Sequence, residues 1–424
     1  MNTGDTAWVL TSAALVLLMT PGLAFFYGGM TRSKSVLNMM MMSFAALAII
    51  PILWVLFGYS FAFSPGGSGV LGGLERLGFD NVGVATAYGT IPEFVFAGFQ
   101  LMFAILTVAL ISGAIADRAR FTGWIAFIVI WATVVYFPVA HWVFDFGSDA
   151  GGGGWIATKL EAIDFAGGTA VHINAGAAGL ALALVLGQRV GWKREPMRPH
   201  NLPFVLLGAG LLWFGWIGFN GGSALGANGV AGLALLNTGV ATGSAIAGWL
   251  AYEFVKEKKG TSLGAASGAV AGLVAITPAA AALSPLGSVI LGLIAGAVCA
   301  WAVSLKWKLG FDDSLDVVGV HLVGGLVGTL LIGLLASSNP GGVSVDGLFY
   351  GGNAELLGKQ TLAAAAVLGY SFALTYLIGR LIDVTIGFRL DPEDEVTGID
   401  QVEHLESAYE YAGGAGGTPF KTGV

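Results

Sequence analysis

The stretch DFAGGTAVHINAGAAGLALALVLG, residues 164–187, places an aspartate and a histidine inside an otherwise apolar run. A helix needs roughly 20 mainly apolar residues to cross a lipid bilayer, and this run has about that length. Ionisable side chains are costly at that depth, and those that occur there usually face a cavity or a transport pathway. Asp164 and His172 are therefore candidates for function.

A second stretch, DSLDVVGVHLVGGLVG at 313–328, repeats the arrangement. In each copy an Asp lies eight residues before a His, a Val precedes the His, and Gly-x-x-Gly begins four residues after it. The pairs are Asp164 with His172 and Asp313 with His321. The copies fall in the fifth and tenth apolar runs, so their helices would cross the membrane in opposite directions. This pattern indicates two inverted five-helix halves, a common transporter plan with its site near the midplane.

The composition is that of a membrane protein built from helices. The chain has 424 residues, of which 55% are hydrophobic and only 11% charged, whereas soluble proteins are roughly 25% charged. The 67 glycines suit close packing of helices in lipid. We predict an all-α polytopic membrane protein with eleven transmembrane helices, near 6–28, 37–63, 93–115, 121–141, 165–187, 203–222, 231–254, 261–282, 285–305, 315–337 and 360–388.

Positive charge alternates along the predicted loops. Loops after the odd-numbered helices hold most of the Lys and Arg, whereas the others hold only Arg76, Lys159 and Lys359. By the positive-inside rule the odd-numbered loops are cytoplasmic, with the N-terminus outside and the C-terminus inside the cell's inner (plasma) membrane. We expect one transmembrane domain over 1–389, with halves of about 1–190 and 200–340 and a final helix at about 360–388, and a cytoplasmic acidic tail over 390–424.

The acidic tail begins DPEDEVTGIDQVEHLESAYEY at Asp391, with eight acidic residues and no Lys or Arg. Such a segment is either a solvated tail or a docking element for a regulator. The rest of the sequence offers no nucleophile with a base and an orienting group, so we do not expect an enzyme. We expect no metal and no cofactor. Topology accounts for the basic loops, so nucleic acid is not an expected partner. The single cysteine, Cys299, is expected to be a packing residue.

The two histidines admit more than one interpretation. A single buried His can be a packed residue hydrogen-bonded to a neighbouring helix, but two at matched positions favour function. We expect His172 and His321 to bond to each other or to a small polar substrate, and to be mostly neutral at pH 7 because burial disfavours the charged form. Asp313 is a candidate N-cap. Asp164 is a candidate buried carboxylate that shapes a cation site.

Several motifs are similar to one known family. The chain resembles the ammonium transporters (Amt/Mep/Rh), and specifically a bacterial or archaeal Amt, over nearly its whole length. The resemblance rests on residues 164–180 together with FYGGMTRSKSVLN at 26–38, FQLMFAILTVALISGAIADR at 99–118, PHNLPFVLLGAGLLWFGWIGFNGGSA at 199–224 and DDSLDVVGVHLVGGLVG at 312–328. It implies ammonium or ammonia as the substrate and a homotrimer with one pore per subunit.

The resemblance also implies roles for individual residues. The family's pattern gives a phenyl gate, an ammonium recruitment site, a pair of pore histidines and an aromatic pore wall. Carried over, these are Phe103 and Phe219 as the stacked gate, Ser223 as the hydroxyl for recruited ammonium, Asp164 as the acidic residue behind it, His172 and His321 as the pore pair, and Trp216 as the wall.

This sequence departs from the family at two places. In AHWVFDFG, residues 140–147, the family often has Trp at the position of Phe144, while Trp142 lies two residues earlier. Either recruitment is weaker, because a cation binds Trp better than Phe, or Trp142 takes the role through a local shift. The tail segment GIDQVEHLESAYEY resembles the end that accommodates a PII signal protein, but Leu405 stands where the family commonly has Gly.

The expected mechanism uses the one chemical difference between ammonium and potassium. Ammonium can lose a proton, whereas potassium in an apolar pore keeps its charge and its desolvation cost. Ammonium recruited outside would be deprotonated at the gate, and ammonia would pass the histidines and be reprotonated inside. The resemblance to the family implies net movement of charge. Two alternatives remain: an ammonium sensor of the same fold, and a neutral ammonia gas channel.

Overall fold

The structure is a computed structural model that describes residues 1–147 and 152–409. In those residues, eleven helices are long and apolar enough to span a membrane, which confirms the predicted number and the all-α fold class. They are α1 Thr3–Met30, α2 Val36–Phe63, α3 Glu93–Ile115, α4 Phe121–Phe144, α5 Gly168–Leu186, α6 Leu202–Gly222, α7 Gly229–Glu257, α8 Ser262–Ala279, α9 Pro285–Leu309, α10 Val318–Leu335 and α11 Ala354–Thr385.

The largest error in the predicted boundaries concerns α11, which begins at Ala354 rather than near 360. Asn353 caps this helix, since its side-chain oxygen accepts the Glu355 N–H at 2.9 Å. Charged Glu355 and Lys359 interrupt the apolar residues at the start of this helix, and hydropathy therefore underestimates its length. A short hairpin, β1 Ala87–Tyr88 paired with β2 Ile91–Pro92, lies between α2 and α3 and was not predicted.

The loops after the odd-numbered helices α1, α3, α5 and α9 meet at one end of the bundle, which we call the basic end. Arg189, after α5, binds Asp312 before α10 at 2.8 Å and Asp117 after α3 at 3.0 Å. Arg32, after α1, lies 3.6 Å from the same Asp117 carboxylate. These contacts place the four loops together, as the charge pattern required. The other end of the bundle is called the opposite end.

The ion pairs that Arg189 forms at the basic end are buried. Burial alone would raise the pKa of the Asp312 carboxyl. The hydrogen bonds from Arg189 and the nearby positive charges of Arg189 and Arg118 outweigh burial, so the pKa of this carboxyl lies below its ordinary value. The guanidinium of Arg118 donates to the Asp312 carbonyl at 2.6 Å. Removing one member would leave a buried charge without its partner, which is strongly destabilising.

Helices α5 and α10 run antiparallel. Arg189 follows α5 and Asp312 precedes α10, and because these two residues are paired, one helix ends where the other begins. Each helix starts with a wide π-helical turn that carries its histidine, Gly168–Ile173 in α5 and Val318–Leu322 in α10. Helix α11 packs against both. This arrangement agrees with two inverted halves joined by one further helix.

The two matched aspartates hold the starts of these helices. Asp164 accepts the N–H groups of Gly167, Gly168 and Thr169 at 2.6–2.8 Å, and also the Thr169 hydroxyl. Asp313 accepts the N–H groups of residues 317 and 318 at 3.1 and 2.8 Å. Both carboxylates therefore satisfy N–H groups that a helix start leaves free. The predicted capping role of Asp313 is confirmed, and Asp164 has the same role.

The glycines after each histidine allow the two helices to cross. A Cβ on Gly176 would lie 2.4 Å from the Leu322 nitrogen, and a Cβ on Gly325 would lie 3.0 Å from the Gly168 oxygen and 3.2 Å from the His172 Cβ. Side chains at these positions would push the helices apart next to the histidines. The repeated glycine pattern therefore sets how closely His172 and His321 approach.

Residues 391–404 of the acidic tail fold back onto the basic end as α12 Pro392–Thr397 and α13 Ile399–His404. Glu395 accepts hydrogen bonds from the Arg389 side chain at 2.7 Å and from the Val190 N–H at 3.0 Å. Asp400 caps α2, because it accepts the N–H groups of residues 37 and 38 at 3.0 and 2.8 Å. The solvated-tail interpretation is therefore wrong for this part. The rest of the predicted tail, from residue 410, lies outside the described residues.

Leu405 ends α13 with a left-handed φ of 56°. This conformation favours glycine and costs other residues roughly 1–2 kcal/mol. The departure from Gly noted in the sequence therefore falls at a position whose backbone suits Gly.

Candidate functional site

Two phenyl rings are stacked near the middle of the bundle. Phe103 in α3 and Phe219 in α6 have ring centroids 4.2 Å apart with planes at 31°, and both side chains are fully buried. The ring of Phe144, at the end of α4, meets Phe103 edge-on with centroids 6.2 Å apart. The structure thus brings together three of the aromatic residues that the sequence selected.

Trp142 does not join this group. Its ring packs against Trp155 and Tyr370, and its indole N–H donates to the Val70 carbonyl at 2.9 Å. Residues 142 and 144 lie about 200° apart around a helix of 3.6 residues per turn, so only one of them can face the stacked rings. The geometry favours Phe144 over Trp142 at the position next to Phe103.

Ser223 and Asp164 lie next to different members of this aromatic group. The Ser223 hydroxyl follows α6 and donates to the Phe219 carbonyl at 2.8 Å, which leaves its oxygen available to accept. Asp164 belongs to the turn before α5, where the Phe144 Cζ lies 3.3 Å from the position of a Cβ on Gly167. Asp164 binds backbone N–H groups, so it contributes its charge to this region without presenting a free carboxylate.

His172 and His321 are buried and face each other. Their Nδ1 atoms are 3.3 Å apart, and their ring centroids are 5.4 Å apart with planes at 19°. A bond between two Nδ1 atoms needs a hydrogen on one of them and a lone pair on the other. The pair is therefore suited to two neutral rings, and two imidazolium rings in this geometry would set donor against donor. Among the described residues, the Nε2 of His172 has no hydrogen-bond partner.

Trp216 connects the phenyl rings to the histidines. Its ring stacks on His172 with centroids 5.4 Å apart at 18°, and it lies 5.3 Å from Phe219. Its indole N–H donates to the hydroxyl of Thr277 in α8 at 2.8 Å, which fixes the ring plane. Sequence reasoning missed Thr277, because one of three hydroxyl residues in an otherwise apolar helix is a weak signal.

The described residues together form a column from Phe144 and Phe103 through Phe219 and Trp216 to the two histidines. The column is apolar apart from imidazole nitrogens, and it passes between α3, α4, α5, α6 and α10. No group of three or more His, Cys, Asp or Glu that could hold a metal occurs in residues 1–147 and 152–409. The imidazole nitrogens are the groups of the column that can accept and donate hydrogen bonds.

Comparison with known proteins identifies the family. The sequence pattern of the Ammonium Transporter Family matches residues 7–409. The chain belongs to the ammonium transporter family. An "Ammonium transporter" of Mycobacterium tuberculosis is 58% identical to it over 440 aligned positions, which cover 97% of this chain and 91% of that protein. This family consists of transporters, so the protein is not an enzyme.

Solved structures of the ammonium transporter family share the fold. The crystal structure of Saccharomyces cerevisiae Mep2 is 34% identical, with a TM-score of 0.84 over 93% of this chain and 89% of that one. A structure described as "Sensor Amt Protein" is 30% identical, with a TM-score of 0.87 over 95% of this chain and 98% of that one. This chain therefore resembles both a Mep2 and a protein named as a sensor.

Proposed function

We propose that this chain moves ammonium nitrogen across a membrane by deprotonating ammonium and conducting ammonia past His172 and His321. The observation that carries the proposal is the unbroken column from the stacked phenyl rings to the facing imidazoles. Ammonium would be recruited at the opposite end by the aromatic faces and by the Ser223 hydroxyl. Phe103 and Phe219 would separate that site from the histidines.

The chemistry of the column favours ammonia over potassium. A potassium ion cannot shed its charge, and the Born cost of bringing it into an apolar pore is on the order of tens of kcal/mol. Ammonia is neutral, and imidazole nitrogens can both donate to it and accept from it. The released proton would follow the histidine pair, so that transport moves net charge. A neutral ammonia channel would use the same residues without that step.

Further parts of the proposal concern the setting of the protein. The basic end would face the cytoplasm, because Lys and Arg are enriched in cytoplasmic loops, and the membrane would be the cell's inner membrane. The chain would form a homotrimer with one pore per subunit. The basic end and tail would offer the surface for a PII signal protein, whose binding can be tested by pull-down.

The second candidate function is ammonium sensing. It is favoured by the similarity to the protein named "Sensor Amt Protein". The structural match covers 98% of the chain of that protein. A sensor would bind ammonium at the same aromatic site without sustained transport.

The deciding experiment measures current from purified protein in liposomes on a supported membrane, with ammonium pulses and potassium pulses. We expect a saturable current with ammonium alone, which His172→Ala and His321→Ala each abolish or convert into a leak that also passes potassium. His200→Ala, a change at the basic end, is the matched control and should leave the current unchanged. If the His172→Ala, His321→Ala double variant kept the wild-type selectivity for ammonium over potassium, the histidine pathway would be ruled out. Ammonium binding without current or internal pH change would favour the sensor.

A further inference from the structure

A third histidine, His141, lies fully buried in α4, one turn before Phe144. Its Nδ1 is 2.9 Å from the Ala62 carbonyl oxygen and its Nε2 is 2.7 Å from the Ser68 carbonyl oxygen. The same Nδ1 is 3.2 Å from a carboxylate oxygen of Asp145. Each ring nitrogen therefore faces oxygen atoms at hydrogen-bond distance.

The identity of these oxygens determines the state of the ring. Backbone carbonyls and carboxylates only accept hydrogen bonds, and a neutral imidazole donates from one nitrogen only. A neutral ring would set a nitrogen lone pair against a buried carbonyl oxygen, which is costly. Both contacts are made together only if both nitrogens carry hydrogen. The resulting positive charge has its counter-ion in Asp145, as a buried charge requires.

His141 joins three separate parts of the opposite end. Ala62 ends α2, Ser68 belongs to residues 64–73, which we call the outer loop, and His141 is in α4. The outer loop is also held by Trp142, through Val70, and by the Gly69 carbonyl, which accepts the Trp155 N–H at 3.0 Å. The ring thus ties the outer loop to the helix end that presents Phe144 to Phe103.

Two other titratable groups lie near this histidine, and neither is an anion that could serve as the counter-ion of an imidazolium. The Nζ of Lys159, on the segment after α4, lies 3.8 Å from the position of a Cβ on Gly69, and so borders the outer loop. Tyr88 in β1 has its pKa raised by burial and then by the charges of Asp145 and Glu93, so it is neutral at pH 7. Asp145 is the anion in direct contact with the ring.

We propose that His141 is a positioning residue held as an imidazolium, which fixes the outer loop and the Phe144 side of the recruitment site. Loss of its proton removes one of two carbonyl contacts and weakens the attachment of the outer loop to the end of α4, where Trp142 still holds Val70. The role in transport rests on the proposed function, whereas the charge and the loop contact do not.

The first test is nitrogen NMR of the full chain in liposomes, with ¹⁵N-labelled histidine and His141→Gln to assign the signal among the five histidines. We expect both ring nitrogens of His141 to be protonated at pH 7. A signal from an unprotonated ring nitrogen at pH 7 would overturn the proposal.

The second test is amide hydrogen exchange of the outer loop at pH 7. His141→Gln should speed exchange in residues 64–73 by about tenfold, because a buried hydrogen bond is lost. His200→Gln is the matched control and should not change it. His141→Gln leaves the Asp145 carboxylate buried without a partner, which could by itself unfold the protein. The double variant His141→Gln, Asp145→Asn removes that carboxylate and so shows whether faster exchange in the single variant comes only from loss of folding. Unchanged exchange in both His141 variants would contradict the contact.

A transport measurement then separates this inference from the proposed function. We expect the His141→Gln, Asp145→Asn double variant to raise the ammonium KM several-fold with less effect on the maximal current, and to flatten the pH profile of KM. A wild-type protein that gives neither an ammonium current nor an internal pH change would reject the proposed function, and the nitrogen signals and exchange rates would still decide the state of His141. An unchanged KM and pH profile would reject its positioning role.

Discussion

At the scale of single residues, the proposed recruitment site depends on which ring meets Phe103. The structure places Phe144 there, while the indole N–H of Trp142 is bound to the outer loop. The departure from Trp at position 144 is therefore not compensated by its neighbour. Because a phenyl ring attracts a cation less than an indole does, this position is where affinity for ammonium can be tuned.

We predict that Phe144→Trp lowers the ammonium KM by about two- to fivefold. This range corresponds to about 0.5–1 kcal/mol of additional cation–π attraction. The measurement is the concentration dependence of the ammonium current. Trp142→Phe is the control, because it removes the bond to Val70 and should reduce stability rather than shift KM selectively. An unchanged KM in Phe144→Trp would place recruitment elsewhere.

At the scale of elements, the crossing of α5 and α10 decides the position of the two histidines. Gly176 and Gly325 stand where each helix meets the start of the other, and the aspartates hold those starts in π-helical turns. The aspartate caps fix where each helix begins, and the glycines fix how closely the two helices approach. The caps and the glycines therefore act together.

We predict that Gly176→Ala destabilises the protein by about 1–3 kcal/mol, as overpacking of a tight contact does. The reason is that the new Cβ would lie 2.4 Å from the Leu322 nitrogen. The measurement is thermal unfolding in detergent. Gly243→Ala in α7 is the control, since a Cβ there meets nothing within 4 Å and Ala favours helix. Equal midpoints for the two variants would contradict the close contact.

The cap of α10 predicts a pH dependence. Burial raises the pKa of the Asp313 carboxyl from an ordinary 3.8 to about 6. The folded protein therefore takes up a proton at Asp313 between about pH 6 and pH 4 more readily than the unfolded chain does. The contribution of Asp313 to the free energy of unfolding must then rise as pH falls through this window.

We predict that this rise is at most about 3 kcal/mol, since a tenfold change in proton affinity corresponds to about 1.4 kcal/mol. The measurement compares unfolding midpoints of the wild type and Asp313→Asn at pH 7 and pH 5. Other carboxylates titrate in both proteins, so the difference isolates Asp313. Parallel pH profiles would show that its carboxyl titrates as in the unfolded chain.

At the scale of the whole molecule, charge joins the parts and predicts the orientation. The odd-numbered loops, their buried ion pairs and the folded tail all gather at the basic end. Arg389 binds both the end of α5, through the Leu186 carbonyl, and Glu395 of the tail. The tail is thus part of the same charged layer that we propose faces the cytoplasm.

We predict that Val84→Cys reacts with a membrane-impermeant maleimide on intact cells, whereas Lys258→Cys reacts only after permeabilisation. Both positions are exposed, and they lie at the opposite end and the basic end, respectively. The single native cysteine, Cys299, is fully buried and serves as the internal control for background labelling. The reverse labelling pattern would invert the proposed orientation.

The sequence by itself determined the eleven helices, their alternating direction and the matched Asp–His–Gly pattern. These follow from segment length, hydropathy and charge, which act locally and are readable residue by residue. It also selected Phe103, Phe219, Trp216 and the histidines, through resemblance to a family. It placed the ends of α11 poorly, because charged residues near the start of this helix weaken the hydropathy signal.

Only the tertiary structure decided which residues meet. The choice of Phe144 over Trp142 depends on how α4 is rotated against α3, and the double contact of His141 depends on a loop that is distant in sequence. The folding of the tail onto the basic end, where a solvated segment was one expectation, depends on Arg389 and on backbone N–H groups that lie after α5 and at the start of α2. Contacts of this kind arise from packing between elements, which no local property of the chain specifies.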